Sequence, residues 1–226
     1  TGDNTSFDDA GVQWIINPWD ELALTRAMEL KEAGGVDTIT VANVGEKSTE
    51  PTLRKALAVG ADDAIRIDAP AKDAFFVAAQ LAEVAKGYDL ILAGIEASDY
   101  NGNAVGGMLA EILDFNSVSA VSGINIEGDS FKVNREIDGG SQVLTISGPL
   151  VAIVQKGIAK EPRIPAMRGI MMARKKPLVV APPVDAHEKT QFVNFELPPP
   201  KAACKMVDEE NAKEIITLLH EEAKVL

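Results

Sequence analysis

Residues 89–113 read DLILAGIEASDYNGNAVGGMLAEIL: an apolar run, a stretch of small residues and a helical run in immediate succession. The run at 89–93 is strand-sized and apolar without alternation, as a strand covered on both faces requires. The helical run starts near Val105 and reaches Leu113. In a parallel α/β sheet, ligands bind in the crevice outside the carboxyl ends of the strands, where a helix N-terminus offers unpaired N–H groups and positive dipole to phosphate. Between strand and helix, Gly94, Ala97, Ser98, Gly102, Asn103, Ala104, Gly106 and Gly107 leave the backbone uncovered for a phosphate or an adenine. The spacing is not G-x-G-x-x-G and has no P-loop lysine, so the motif by itself is weak. A flexible connection is the simpler reading of this segment alone.

The same alternation continues upstream. Asn17-Pro18 suits a helix start, with the Asn side chain placed to accept from unpaired N–H groups and Pro at the first helical position. Ala23, Ala27 and Leu30 then recur with helical spacing up to Gly34-Gly35. A strand is expected at 38–42 (TITVA), a helix at 51–59 closed by Gly60, a short strand at 64–67 and a helix at 73–86 closed by Gly87. Strands alternating with helices predict βαβ units and a parallel sheet covered on both faces.

Downstream the pattern changes to alternating runs with turns at Glu127-Gly128-Asp129 and Asp138-Gly139-Gly140, which predict antiparallel hairpins. Strands follow at 150–154 and 178–180, with a basic loop at 161–176 between them. Pro198-Pro199-Pro200 imposes an extended arm. A terminal helix is expected after it, capped by Asp208 and striped by Ala212, Ile216, Leu219 and Ala223. The expected fold is therefore α/β: a three-layer, parallel-sheet, Rossmann-like domain for adenine nucleotides over residues 1–181. An antiparallel hairpin region is added to it, and residues 182–226 form a C-terminal arm ending in a helix.

Composition narrows the function classes. With 226 residues and 46% hydrophobic side chains, the chain can bury a substantial core. Its 22 basic and 34 acidic residues leave a net charge of -12, which repels a nucleic-acid backbone. No apolar run approaches the roughly 18 residues of a membrane span. Cys204 is the only cysteine and the histidines are His187 and His220, so no Cys/His zinc cluster is expected. There is no G-x-S-x-G elbow or H-E-x-x-H motif. Either the chain binds without reacting, or a cofactor supplies the chemistry.

A second unusual segment, residues 160–176 (KEPRIPAMRGIMMARKK), gathers Lys160, Arg163, Arg168, Arg174, Lys175 and Lys176 around Ile164, Met167, Ile170, Met171 and Met172, opposed only by Glu161. In so acidic a chain this suits a docking surface with adaptable methionines. A partly buried loop with a solvated charged end suits it equally.

Five stretches together resemble the electron transfer flavoprotein beta subunit over nearly the whole chain. They are INPWDELALTRAMELKE at 16–32, TLRKALAVGADDAIRI at 52–67, DLILAGIEASDYNGNAVGGMLAEILDF at 89–115, VNREIDGG at 133–140 and EPRIPAMRGIMMARKKP at 161–177. Family members begin with a strand carrying an apolar-then-Lys pattern, and that strand and its share of the nucleotide site are expected to be missing upstream.

The resemblance implies a heterodimer with an alpha subunit that holds most of an FAD, with a structural AMP buried in the beta subunit and no catalytic side chain of its own. The implied nucleotide contacts are Asn17, Pro18, Trp19 and Asp20 in a first turn, Val44 after a strand, and Gly94, Ala97, Ser98, Asp99, Gly102, Asn103, Ala104 and Val105 in the main loop. Trp19 is implied to lie near the flavin, where an apolar ring limits water access. A plain core tryptophan is the alternative. Glu136 is implied to pair with an arginine of the alpha subunit's flavin domain.

The basic segment is similar to the family's recognition loop, so Arg163, Met167, Arg168, Ile170 and Met171 are expected to dock partner dehydrogenases. Met167 stands where relatives often carry leucine. Acyl-CoA dehydrogenases and other flavin dehydrogenases are the implied donors and a quinone oxidoreductase the implied acceptor, in the cytoplasm, or in the mitochondrial matrix of a eukaryote. Some members carry a second FAD in place of AMP and bifurcate electrons, with a loop like D-G-D-T-A-Q-V-G. Asp99 and Val105-Gly106 keep that pattern, whereas Tyr100 and Asn103 depart from it, which favours AMP. Two other readings remain: a stand-alone nucleotide-binding stress-type protein, whose usual G-x-x-G-x9-G-[ST] loop is absent, and a pure interaction scaffold.

Overall fold

The computed structural model describes residues 2–201 and 203–226. In chain order the elements are α1 (Pro18–Glu32), β1 (Thr40–Val44), α2 (Glu50–Val59), β2 (Asp63–Ile67), α3 (Ala74–Ala85), β3 (Leu90–Gly94) and α4 (Val105–Leu113). They continue with β4 (Asn116–Glu127), β5 (Ser130–Ile137), β6 (Gly140–Ser147), β7 (Leu150–Val154), α5 (Met167–Ala173), β8 (Leu178–Ala181) and α6 (Glu214–Thr217). Asp9–Gln191 form one compact unit; the residues up to Asp8 together with Phe192–Leu226 form another.

The larger unit is α/β. Its strands fall into a parallel sheet ordered β1-β2-β8 and a mixed sheet ordered β3-β7-β4-β5-β6. Within the mixed sheet β3, β7 and β4 are parallel and β4, β5 and β6 antiparallel. β1 and β3 are edge strands, each paired on one side only. Among the described residues, none before α1 forms a strand.

β7 shows why the layers number three. Every residue of this strand is buried. Leu150, Ala152 and Val154 pack with Ala23 and Leu30 of α1, whereas Val151 and Ile153 pack with Ala110 of α4. The period-two alternation thus sends successive side chains into cores on opposite faces. Beside it, α2 packs Leu53 and Leu57 with Leu24, Ile39 and Ala64, and α3 packs Phe76 with Val44 and Ile67. Burying a Leu such as Leu57, which has no exposed surface, contributes about 1.5–3 kcal/mol.

The hairpins turn where the sequence predicts, with Gly128 at φ 60° and Gly139 at φ 81°. The strand expected at 38–42 instead runs over Thr40–Val44. Its approach is taken by Asp62, whose carboxylate accepts from Ile39 N and whose own N–H donates to Ile39 O. Within the segment expected to be a loop, α5 forms a short helix. The larger unit also extends past the boundary expected at 181. Gln80 of α3 holds Val184 by both side-chain amide atoms, and Asp73 accepts from Lys189 N and Thr190 N, which keeps residues 182–191 against α3.

In the smaller unit Phe195 N donates to Asn4 O, and the rings of Phe192 and Phe195 lie 5.3 Å apart. Asp208 caps the turn at Glu209–Asn211 as expected. The terminal helix, however, is broken into that turn, α6 and a wide turn at Leu218–Glu222. Most short helices are stabilised by packing of an apolar face, and here Ile216 is 64% exposed.

Candidate functional site

The chain leaves β3 at Gly94 directly against the first turn of α1. A Cβ placed on Gly94 would lie 2.8 Å from Trp19 Cβ, 2.9 Å from Asp20 Oδ2 and 3.0 Å from Asn17 Nδ2. Gly94 N donates to Asp20 Oδ1 at 2.7 Å. Asn17 Nδ2 donates to Asp20 Oδ2 at 2.7 Å and to Glu96 O at 2.8 Å, while Asn17 Oδ1 accepts from Ser98 Oγ at 3.3 Å. The structure therefore joins Asn17, Trp19, Asp20, Gly94 and Ser98 at the carboxyl end of β3, although the sequence separates them by more than seventy residues.

This arrangement corrects the capping role expected of Asn17. Its side chain caps no N–H of α1 and is instead directed at the loop after β3. Pro18 keeps the first helical position.

Beyond Ser98 the loop turns tightly. Ala97 O accepts from Tyr100 N at 3.1 Å and Asn101 N at 2.7 Å. Asn101 and Asn103 take left-handed backbone, at φ 56° and 43°, a region in which Asn is among the better tolerated residues. Ala97, Ser98, Asp99, Gly102 and Asn103 are exposed and Ala104 is partly buried. α4 then begins with no side-chain cap. Val105 packs its side chain with Ala78, Ala82 and Leu109, which leaves its backbone as the group nearest the loop. Gly106 has a packing reason of its own, since a Cβ there would lie 2.8 Å from Ile153 Cγ1, whereas Gly107 has open space.

Val44 is not joined to this cluster by any hydrogen bond, and its side chain is buried with Ile67, Ala69 and Phe76. A ligand would meet its backbone rather than its side chain. Its neighbour Asn43 went unnoticed in the sequence. Asn43 Oδ1 is a buried acceptor without a partner, and buried polar atoms of this kind are rare. A polar residue in the apolar run TVANV was the available signal. Arg66 was also missed: it is 4% exposed at the end of β2 and donates to Gly45 O, Asp68 and Glu50. The Asp68 carboxylate holds the Arg66 pKa above its ordinary value.

The basic segment divides its charges. Arg163 forms a two-pronged pair with Glu32, each arm 2.6 Å, and its N–H donates to Thr25 Oγ1. The hydrogen bond from Arg163 holds Glu32 below the usual carboxylate range. Lys176 donates to Leu57 O, Gly60 O and Ala61 O. Arg163 and Lys176 are thus engaged within the fold. Among the described residues no ion pair holds Lys160, Arg168, Arg174 or Lys175, which leaves them as the charges presented to solvent. Between them stand Ile164 (91% exposed), Met167 (76%) and Met171 (69%), with Ile170 and Met172 less exposed.

Glu136, on β5, is exposed and accepts from Ser122 Oγ at 2.7 Å. A concave region of about 490 Å3 lies between α2 and α5, and one of about 480 Å3 lies beside Trp14 and Pro51; neither includes the Gly94 crossing. No described helix is long and apolar enough to cross a membrane.

The family described as the electron transfer flavoprotein domain matches residues 4–186. The chain is 40% identical over 206 residues to the electron transfer flavoprotein subunit beta of Syntrophomonas wolfei, covering 89% of this chain and 81% of that protein. It is 37% identical over 236 residues to the subunit beta of Bacillus subtilis, covering 97% and 91%. With the human subunit beta the identity is 34% over 235 residues, covering 99% and 91%.

Proposed function

We propose, from the premise that this chain belongs to the electron transfer flavoprotein family as a beta subunit, that it binds AMP at the Gly94 crossing, pairs with an alpha subunit around a shared FAD, and docks flavin dehydrogenases through α5. The observation that carries the nucleotide reading is the junction at the carboxyl end of β3, where Asp20 holds Gly94 N and Asn17 holds Glu96 O and Ser98, so that the small-residue loop leaves the sheet from a fixed base. The uncapped start of α4 supports it from the phosphate side.

The chemistry that FAD supplies when bound is electron transfer. This chain's own residues bind and orient. Asp20 and Asn17 hold the loop after β3 in place; the small residues Gly102 and Ala104 suit close approach; and Trp19, half-buried, packs its Cβ against Gly94. Glu136 offers an exposed carboxylate for a charge on the alpha subunit. Exposed pairs of this kind contribute about 0–1 kcal/mol, enough to bias a domain orientation without locking it. The exposed apolar residues of the smaller unit, Leu197 at 93% among them, suit packing on the alpha subunit.

Co-expression with the cognate alpha subunit, acid extraction of the purified complex and chromatography of the released nucleotides test the proposal. AMP together with FAD in equal amounts is the expected result. Two FAD without AMP would replace it with the bifurcating type. ATP released from the chain alone would favour a stress-type protein, and a colourless chain that never pairs would overturn the proposal.

A further inference from the structure

On the reading that α5 docks dehydrogenases, we propose that Arg54, Lys176 and Gly169 are positioning residues that hold this helix in its docking pose through reciprocal caps between α2 and α5. α5 has seven residues, too few to be stable as an isolated helix, so its pose depends on what anchors it. Arg54, in the middle of α2, donates through Nη1 to Ala173 O at 2.8 Å and Lys176 O at 2.7 Å, which are carbonyls at and beyond the end of α5. Lys176, just past α5, returns the arrangement by donating through Nζ to Leu57 O at 3.0 Å, Gly60 O at 3.3 Å and Ala61 O at 2.5 Å, at the end of α2. Each helix thus receives a cation from the other at its negative end, where unpaired carbonyls and the dipole favour it.

Gly169 sets the separation. A Cβ there would lie 2.3 Å from Ala58 O, which only a glycine avoids without moving the helix. Glycine costs about 1 kcal/mol in a helix interior, so its presence in so short a helix answers to the close approach. The opposite end of the segment is tied to α1 through Arg163, Glu32 and Thr25. With both ends anchored, the exposed Met167 and Met171 are adaptable tips on a fixed base. A surface held in its bound pose loses less conformational freedom on association.

The test is a double-mutant cycle in the complete alpha–beta complex, with Arg54→Met, Met167→Ala and the pair combined. KM and kcat for the flavoprotein as acceptor of a flavin dehydrogenase, the flavin absorbance spectrum and the melting temperature are measured for each. Arg54→Met is expected to raise KM about fivefold to tenfold with kcat and spectrum unchanged. In combination with Met167→Ala the effects on KM should be less than multiplicative, because Arg54 acts through the helix that carries Met167. Arg54→Lys should recover part of the loss, since a single nitrogen makes both bonds. Gly169→Ala should raise KM by a separate, steric route, and Lys176→Met takes the place of Arg54→Met if that variant yields no complex. Unchanged KM in Arg54→Met, or fully multiplicative effects, with Met167→Ala still impaired, would overturn the positioning role alone. Unchanged KM in Met167→Ala would overturn the docking reading on which it stands.

Discussion

Two glycines on either side of the same loop, Gly94 at the end of β3 and Gly107 in α4, should respond to alanine in opposite ways. At Gly94 an added methyl would meet Trp19, Asp20 and Asn17 at 2.8–3.0 Å, so the first turn of α1 or the end of β3 must move. Overpacking of this kind costs about 1–3 kcal/mol. If the displacement also breaks the bond from Gly94 N to Asp20, a hydrogen bond to a charged group worth about 1.5–3 kcal/mol is weakened. The expected loss is therefore about 2–4 kcal/mol, or a fall of about 1–2 M in the urea midpoint. At Gly107, with nothing within 4 Å of the added methyl and α4 continuing through it, the same substitution should gain up to about 1 kcal/mol of helix propensity. The assay is urea unfolding of each variant together with nucleotide content of the alpha–beta complex. Gly94→Ala should lose stability and nucleotide together, and Gly107→Ala neither. A Gly94→Ala complex with full nucleotide occupancy and the parent midpoint would refute the role of this junction.

Gly106→Val should lower the urea midpoint through a clash with Ile153, a cost of about 1–3 kcal/mol, and so fail as a clean probe of nucleotide binding. A variant with parent stability and no nucleotide would show instead that position 106 faces the ligand. Asp73 gives a pH dependence. The N–H of Phe76 at the start of α3 holds its pKa below the ordinary carboxylate value, helped by Thr190 and Lys189 and opposed by partial burial. Because the folded value is the depressed one, the stabilisation is present above the unfolded pKa of about 3.9 and is lost as pH falls through the folded value. Asp73→Ala should therefore unfold at lower urea than the parent at pH 7, with the gap closing toward pH 3. A gap of constant size would refute the titration.

The local chemistry of the sequence determined most of the elements. The apolar runs at 89–93 and 150–154, the turns at Gly128 and Gly139 and the helix Val105–Leu113 are set by residues within a few positions of one another, and they stand where the pattern places them, the first of the strands shifted by one residue to Leu90–Gly94. Family membership was legible for a similar reason, because the motifs that carry it are contiguous.

What could not be read were relations between distant segments. Asn17 looks like a helix cap in isolation, yet its side chain serves Glu96 and Ser98. Arg163 and Lys176 look like part of one basic patch, yet Glu32 and the end of α2 take them out of it. The terminal stripe from Ala212 to Ala223 has helical spacing but yields a broken helix, because a stripe becomes a stable helix through what covers it. Side-chain periodicity is a property of the chain itself, whereas the partner of a polar group depends on which other segments the packed core brings within about 3 Å.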